Sequence, residues 1–212
     1  MKLHSYFRSS ASFRVRIALA IKGLPYEYQA VHLAKGEQFH AAFKELHGDA
    51  LVPLLEVHGL CLTQSMAIME YLDETHPTPA LLPADAAGRA RVRALSQSIA
   101  CEIHPINNLR ILTYLGDTLK LDENTKITWY RHWVDLGLQG VERQLALQPQ
   151  HRFCHGDTPT MADCVLVPQI FNAQRYKVEL SGFPRILSVF HACMNLLAFQ
   201  QAQPSACPDF EH

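Results

Sequence analysis

The sequence predicts two domains of different class, a small α/β domain followed by an all-helical domain. From residue 1 to about 77, short apolar runs typical of strands alternate with segments of helical periodicity. Three prolines then interrupt the chain between residues 76 and 85. Beyond them the strand signals disappear, and long segments with a period of about 3.6 residues follow. We therefore predict domains at residues 1–80 and 86–212.

The elements predicted for the first domain follow the order β-α-β-α-β-β-α. Gly23 suits the position after the first helix, where a left-handed residue closes the last turn. His58 and Gly59 separate the last two apolar runs and predict a hairpin turn. This order predicts a small mixed sheet with helices on its faces. The predicted limits are 2–6, 12–22, 26–31, 37–46, 52–57 with 61–62, and 65–75.

The second domain is predicted to be helical throughout. Residues 89–115 are predicted to form one long helix interrupted near Pro105, and residues 123–147 form another with apolar side chains on one face. Thr160 and Asp163 have the spacing of a capping box and precede an apolar run. We therefore assign Asp163 to the start of a core helix rather than to catalysis.

Composition and charge exclude several classes of function. The 19 Lys and Arg residues against 20 Asp and Glu residues provide no broad positive field, so nucleic acid is a poor partner. No apolar run approaches the roughly 18 residues of a membrane span, and no signal segment is apparent, so we expect a soluble intracellular protein. The six cysteines contain no C-x-x-C pair, and the histidines form no H-E-x-x-H motif. We expect reduced thiols and no metal.

Three serines lie where the first strand gives way to the first helix. Ser9, Ser10 and Ser12 are candidates for the N-cap of that helix. The unpaired N–H groups of a first helical turn and the positive end of its dipole favour an anion there, and a hydroxyl can donate one more hydrogen bond. A thiolate suits such a place, although serines before a helix are often caps and nothing more.

Residues 9–19 read S-S-A-S-F-R-V-R-I-A-L, and several shorter motifs follow in a fixed order. The first motif is similar to the signature S-S-C-x-W-R-V-R-I-A-L, and the whole order resembles the zeta class of glutathione transferases. The signature Cys is Ala11 here and its Trp is Phe13, which excludes thiol chemistry by the protein itself at that position. The supporting motifs are Val52-Pro53, Gln64-Ser65, Ala67-Ile68, 78–83, Gly156-Asp157, Ala162-Asp163 and 166–169.

The resemblance implies a thioredoxin-like N-terminal domain, a helical glutathione-transferase C-terminal domain, a homodimer and a cytoplasmic location. It implies glutathione as the cofactor, with Ser9 as the hydroxyl that stabilises its thiolate and Ser10 as the fallback. Val52-Pro53 then corresponds to the family's cis-proline corner, although most X-Pro bonds are trans. The other implied contacts with glutathione are Gln38, Gln64 and Ser65 and, from the helical domain, His104, Asn108 and Arg110. Leu109 is implied to line the same cleft.

The activity implied by the resemblance is glutathione-dependent cis–trans isomerisation of a small maleyl-type dicarboxylic acid. Maleylacetoacetate, an intermediate of tyrosine and phenylalanine breakdown, is the leading substrate, and maleylpyruvate is the rival. Carboxylates at the substrate's ends call for guanidinium partners, for which Arg8, Arg110 and Arg175 are the candidates. By itself Arg175 could equally form a surface ion pair. Arg14 and Arg16 are assigned to the helix surface or to interdomain pairs.

Three other functions stay open on the sequence alone. The same thiolate and arginines would support transfer or dehalogenation of small α-haloacids. A binding or assembly module could keep the fold without the chemistry, although the site residues are all present together. A glutaredoxin-like reductase is less favoured, because residues 8–11 contain no cysteine.

Overall fold

A computed structural model describes residues 1–211, and their contacts divide the chain into two units. Met1–Leu81 and the residues from Met194 onward form an α/β unit, and Leu82–Cys193 form a helical unit. The predicted fold class, an α/β domain and an all-helical one, is confirmed. The division by contacts differs from the predicted limits 1–80 and 86–212, because the residues after 193 pack with the first unit.

The elements of the first unit follow the predicted order closely. The predicted helix over 37–46 is wrong in part, because His40 has an extended backbone that separates a 3₁₀ turn, Glu37–Phe39, from a short helix. Gly23 has the predicted left-handed backbone, with a φ of 64°. The elements are β1 (Lys2–Ser5), α1 (Ser10–Ile21), β2 (Glu27–Ala30), α2 (Ala41–Leu46), β3 (Leu54–Val57), β4 (Leu60–Thr63) and α3 (Ser65–Thr75).

The sheet has the strand order β2-β1-β3-β4. Strand β1 pairs in parallel with β2 and antiparallel with β3, and β3 pairs antiparallel with β4. Strands β1 and β4 therefore run in the same direction, and each is followed by a helix. As a result, β1 and β4 end, and β3 begins, at one edge of the sheet, which we call the cap edge.

Helix α1 contains two buried arginines, so their predicted position on the helix surface is wrong. Arg14 and Arg16 are only 2% and 1% exposed. Arg16 donates to the carbonyl oxygens of Phe7 at 3.2 Å and Ala202 at 2.9 Å, and to the hydroxyl of Ser5 at 3.0 Å. A buried guanidinium is tolerated here because its donors are paired with acceptors. Through Ala202, Arg16 thereby connects the residues after 193 to helix α1.

One late helix belongs to this unit. Helix α9, which we number after the eight helices that precede it, spans Leu197–Ala202 and packs against α1. At the other end of α1, Lys22 donates to Asp73 at 2.9 Å and to the carbonyl oxygens of His76 and Pro79 at 2.6 and 2.9 Å. The buried ammonium of Lys22 thus joins the end of α1 to the proline-rich segment.

The second unit is helical, as predicted, but its first long helix is divided. A π-helical turn, Ser98–Ile103, and a 3₁₀ turn, Pro105–Asn107, separate two α-helices. Pro105 has no N–H to continue the helical ladder, and Asn108 caps the next helix through the N–H of Arg110. The helices are α4 (Ala86–Gln97), α5 (Leu109–Asp117), α6 (Glu123–Ala146), α7 (Met161–Arg175) and α8 (Pro184–Met194).

The predicted capping box at the start of α7 is confirmed. Asp163 is fully buried and accepts from the N–H of Thr160 at 2.7 Å and from its hydroxyl at 2.8 Å. It also accepts from the N–H of Cys154 at 2.8 Å. Burial raises the pKa of Asp163, while these hydrogen bonds act in the opposite direction. Asp163 therefore connects the preceding loop to the core helix.

Within residues 1–211, no helix is long and apolar enough to cross a membrane. The same residues contain no group of three or more His, Cys, Asp or Glu side chains placed to hold a metal ion. All six cysteines are free thiols: Cys61 and Cys101 are exposed, and the other four are buried.

Candidate active site

The cap edge brings together three segments that are far apart in the sequence. His4 is paired with Leu54, and Leu54 with Thr63. The next residues along these strands, at the edge itself, are Ser5, Pro53 and Gln64. Because α1 begins shortly after β1 and α3 begins directly after β4, the N-termini of both helices lie at this edge. Polar groups from all three segments therefore surround one place on the first unit.

Ser9 is the N-cap of α1. Its Oγ accepts a hydrogen bond from the N–H of Ser12 at 3.2 Å, and its own N–H donates to the carbonyl oxygen of Tyr6 at 2.9 Å. Capping uses a lone pair of the hydroxyl, so the proton of the partly exposed Ser9 is still available to a ligand. Ser10 is buried in the first turn of α1. Its burial makes Ser10 the less accessible of the two hydroxyls.

Arg8 is exposed beside this cap. Its guanidinium carbon lies 5.0 Å from the centroid of the Phe7 ring, and Phe7 itself is 2% exposed. A cation over an aromatic face is held by the quadrupole of the ring. The buried Phe7 therefore supports a positive charge next to Ser9.

The cis-proline expected from the family resemblance is present. The bond between Val52 and Pro53 is cis, as is a second one between Thr78 and Pro79, for which the sequence analysis made no prediction. Both Val52 and Pro53 are buried at the start of β3. The corner thus lies between Ser9 and the start of α3 at the cap edge.

Gln64, at the start of α3, has an unusual backbone conformation. Its φ is 66°, in the left-handed region that favours glycine, and such a conformation costs on the order of 1–3 kcal/mol. Its exposed side chain makes no capping hydrogen bond. The first N–H groups of α3 are therefore available to a ligand, and conformational strain of this kind is common at ligand sites.

Ser65, the first residue of α3, is joined to a buried positive charge. Its Oγ accepts from Nη1 of Arg14 at 3.1 Å, and both side chains are buried. The guanidinium adds to the positive end of the helix dipole, a combination that suits a carboxylate. Sequence analysis missed Arg14 as a site residue. The signal that could have found it is an arginine within an otherwise apolar helical run.

Gln38 lies in the 3₁₀ turn that follows β2. It is 8% exposed, and its Oε1 has no hydrogen-bond partner among the described residues. Buried acceptors are normally paired, so this oxygen is suited to an N–H supplied by a ligand.

The second unit brings three of its predicted residues together. Nδ2 of Asn108 lies 3.3 Å from Nε2 of His104, and Oδ1 of Asn108 accepts from the N–H of Arg110 at 3.3 Å. Leu109 and Arg110 are exposed in the first turn of α5. The π-helical turn before His104 packs closely against Gly137 of α6, where a Cβ would collide with Ile103. Such turns are frequent at functional sites.

Arg175 lies in the last turn of α7 and is exposed. Its guanidinium carbon is 4.8 Å from the centroid of the Tyr176 ring, which stacks on Tyr130 at 3.7 Å. Tyr176 also lines a cavity of about 270 Å³, whose wall includes Leu109 and Ile127. Arg175 and the start of α5 are thereby connected through one aromatic residue, Tyr176, which the sequence analysis did not select.

Comparisons with known proteins identify the family of the chain. The family model described as the N-terminal domain of glutathione S-transferase matches residues 1–74, and that of the C-terminal domain matches residues 134–192. The chain belongs to the glutathione S-transferase family. Maleylpyruvate isomerase from Ralstonia sp. is 51% identical over 210 residues, which cover 99% of each chain.

Two solved structures are similar to the chain over nearly its whole length, and the first of them is described as zeta class. One is the holo structure of maleylpyruvate isomerase, described as a bacterial glutathione S-transferase of the zeta class. It matches the whole of both chains with a TM-score of 0.98 and 51% identity. Maleylacetoacetate isomerase from Anaeromyxobacter dehalogenans 2CP-1, with glutathione bound in its active site, has a TM-score of 0.89 and 43% identity. That match covers 99% of this chain and 97% of the other. The predicted class is confirmed.

Proposed function

We propose that this chain is a glutathione-dependent cis–trans isomerase that converts maleylacetoacetate to fumarylacetoacetate. The observation that carries the proposal is the convergence of Ser9, the cis-proline and the start of α3 at the cap edge. A relative of 43% identity binds glutathione in its active site.

The residues at the cap edge fit glutathione, which carries two carboxylates, an ammonium and a thiol. The open N-terminus of α3, with Ser65 and the charge of Arg14, suits the γ-glutamyl carboxylate. The backbone at Val52-Pro53 suits the cysteinyl part, as an added strand would. The unpaired Oε1 of Gln38 can accept an N–H from the glycyl end.

When bound, glutathione supplies a reversible nucleophile that adds to the substrate's double bond, lets the remaining single bond rotate, and leaves again. The protein must hold that sulfur as an anion at neutral pH, because a free thiol has a pKa of about 8.5. The hydroxyl of Ser9 and the N-terminus of α1 stabilise the thiolate. Lowering the pKa by one to two units requires about 1.4–2.8 kcal/mol of differential stabilisation, which these two interactions can supply.

The arginines bind the substrate and offset the charge that develops on it. The exposed side chains are those of Arg8, Arg110 and Arg175, and each guanidinium can bind a carboxylate through two parallel hydrogen bonds. Arg8 lies next to the thiolate corner in the sequence, and Arg110 follows the His104–Asn108 pair. His104 and Asn108 are proposed to contact glutathione, as the family resemblance implies.

The test is turnover of a maleyl substrate by the purified protein with and without glutathione. We expect loss of the maleyl absorbance only when glutathione is present, with no net consumption of the thiol. Glutathione binding without any turnover would overturn the proposal and leave a binding module. Halide release from α-haloacids without isomerisation would replace it by a dehalogenating transferase.

Maleylpyruvate is a second candidate substrate, and a specific observation favours it. The chain is 51% identical to maleylpyruvate isomerase from Ralstonia sp., and the holo structure of a maleylpyruvate isomerase matches it with a TM-score of 0.98. Both substrates are maleyl-type acids that differ in chain length. Values of kcat/KM measured for the two acids with the same enzyme preparation decide between them.

We expect Arg175→Ala to lower kcat/KM for the maleyl substrate by about 10- to 100-fold, the value of one charge-assisted interaction. The affinity for glutathione, measured by calorimetry, should stay nearly unchanged. The matched control is Lys177→Gln, which removes an exposed positive charge two residues away. Equal losses of turnover and of glutathione affinity in Arg175→Ala would show that Arg175 is not a specific contact of the substrate.

The family resemblance also supports a homodimer and a cytoplasmic location, and we propose both. Sedimentation equilibrium should give twice the chain mass of 23.9 kDa. Fractionation of cells that express the protein should place it with the cytosolic enzymes. A monomer, or a membrane-bound fraction, would contradict these expectations.

A further inference from the structure

Residues 207–211 lie against the turn that leads into Ser9. Oδ2 of Asp209 accepts a hydrogen bond from the backbone N–H of Phe7 at 3.1 Å. Oδ1 of the same carboxyl group accepts from the hydroxyl of Tyr28, next to β1 in the sheet, at 2.6 Å. Phe7 is two residues before Ser9 and one before Arg8. Asp209 therefore connects the sheet to the segment that carries both proposed site residues.

Neighbours of Asp209 extend this attachment. The ring of Phe210 packs edge-on against the ring of Phe7, with centroids 5.6 Å apart. Glu211 accepts from Nζ of Lys35 at 2.6 Å and lies 3.2 Å from Nε2 of His32. These contacts hold residues 210 and 211, directly after Asp209, against the first unit.

Phe7 is held from several directions at once. Its N–H is bound by Asp209, its carbonyl oxygen accepts from Arg16 at 3.2 Å, and its ring lies under the guanidinium of Arg8. Burial and the hydrogen bond to Asp209 both raise the pKa of Tyr28, so its phenol remains a donor. The remaining backbone bond of this turn, from the N–H of Ser9 to the carbonyl of Tyr6, is local. Asp209 and Arg16 are therefore the side chains whose hydrogen bonds to Phe7 help to fix the position of the turn relative to the sheet.

We propose that Asp209 is a positioning residue for the Ser9 corner: it acts through the N–H of Phe7 to fix where the hydroxyl of Ser9 and the guanidinium of Arg8 lie. The catalytic part of this inference rests on the function proposed for Ser9. A hydrogen bond to a carboxylate is stronger than one between neutral groups. Displacements of about 1 Å at a reacting group can lower turnover by up to about 10²-fold. A residue that touches no substrate can therefore control the rate.

The test compares Asp209→Ala with Asp209→Asn, which keeps an acceptor oxygen for the N–H of Phe7. In Asp209→Ala we expect amide hydrogen exchange at Phe7 to be about tenfold faster, while the amides of β3 exchange at the wild-type rate. With glutathione and the maleyl substrate, we expect kcat to be about tenfold lower, with KM for glutathione within about twofold. The pKa of the bound thiol should rise. Asp209→Asn should restore most of both properties.

The matched control is Lys35→Met, which breaks the pair with Glu211 but no bond to Phe7. It should leave exchange at Phe7 and kcat unchanged. Wild-type exchange at Phe7 in Asp209→Ala would overturn the proposal, as would faster exchange throughout the sheet with no recovery in Asp209→Asn. If Asp209→Ala does not fold, Tyr28→Phe takes its place, because it removes the hydrogen bond from the phenol to Asp209 and keeps the one from Phe7. The same changes are expected, each smaller.

The two proposals fail in distinguishable ways. If the wild-type protein does not lower the pKa of the glutathione thiol, the function proposed for Ser9 is wrong, whereas hydrogen exchange at Phe7 still decides whether Asp209 orders the turn. If the wild-type protein lowers that pKa and Asp209→Ala lowers it equally, the positioning inference is wrong and the proposed function stands.

Discussion

Replacing Ser9 by alanine is expected to lower kcat/KM for the maleyl substrate at neutral pH by about 10- to 10²-fold, which corresponds to the roughly 1.4–2.8 kcal/mol that lowers the thiol's pKa by one to two units. The hydroxyl of Ser9 is the N-cap of α1 and keeps a proton for a ligand at the positive end of the helix. Without this hydroxyl, only the N-terminus of α1 stabilises the glutathione thiolate. Steady-state kinetics at saturating glutathione measure the loss.

The same substitution should change the pH dependence. A hydroxyl that stabilises the thiolate lowers the thiol's pKa, so its removal raises that pKa towards the free value of about 8.5. Wild-type activity should rise with pH to a plateau with a midpoint about one to two units below 8.5, whereas the midpoint for Ser9→Ala should move up towards 8.5. Ultraviolet absorbance of the bound thiolate follows the same titration directly.

Two control variants separate chemistry from stability. Ser9→Ala also removes the hydrogen bond to the N–H of Ser12, which costs about 1 kcal/mol of stability. Asp122→Ala removes a comparable cap from α6 and should lower stability to a similar extent without changing the thiol's pKa. Ser10→Ala removes a buried neighbouring hydroxyl and should have a small effect on rate. A larger loss in Ser10→Ala than in Ser9→Ala would assign the thiolate to Ser10.

Replacing Arg16 by methionine is expected to lower the free energy of unfolding of the first unit by about 3–5 kcal/mol. The substitution leaves the carbonyl oxygens of Phe7 and Ala202 and the hydroxyl of Ser5 without their buried donor. Methionine carries no charge, so the variant avoids the free-energy cost of burying the guanidinium, and this offsets part of the loss. Urea unfolding measures the change, and limited proteolysis should show earlier cleavage after residue 193.

Two further variants test this explanation. Arg16→Lys keeps the positive charge but lacks the planar fork that reaches several acceptors, so we expect an intermediate loss. Arg185→Met removes another arginine that donates to two carbonyl oxygens, those of Leu145 and Gln148, at a partly exposed position. Water can replace Arg185 there, and the expected loss is about 1 kcal/mol. Equal losses in Arg16→Met and Arg185→Met would show that burial of Arg16 contributes little.

Where the interactions are local, the sequence predicts the structure well. The limits of α3 agree with the predicted 65–75, and Gly23 closes α1 as expected. The capping box of Thr160 and Asp163 also formed. These features depend on residues within one helical turn of each other, so a short window contains their causes. The predicted helix over 89–115 failed at Pro105, where the break was anticipated but the π-helical turn before it was not.

For the candidate site, the motif order and the family resemblance indicate which residues to consider. They select Ser9, Pro53 and Ser65, which the sheet then brings to one edge. They assign Arg14 to the helix surface or to an interdomain pair, although it is buried against Ser65 of the same unit, because hydrophobic periodicity distinguishes only polar from apolar residues. They do not select Asp209, whose partners Phe7 and Tyr28 are about 200 and 180 residues away.

Residue order alone thus specifies the fold class, the helix caps and the family to which the chain belongs, because each depends on patterns that are local or match a known motif. Folding in three dimensions determines the burial of Arg14 and Arg16, the grouping of residues after 193 with the α/β unit, and the attachment of Asp209 to Phe7. The physical reason is that a buried charge or carboxyl group is stable only where specific donors or acceptors meet it. Those partners come from distant parts of the chain.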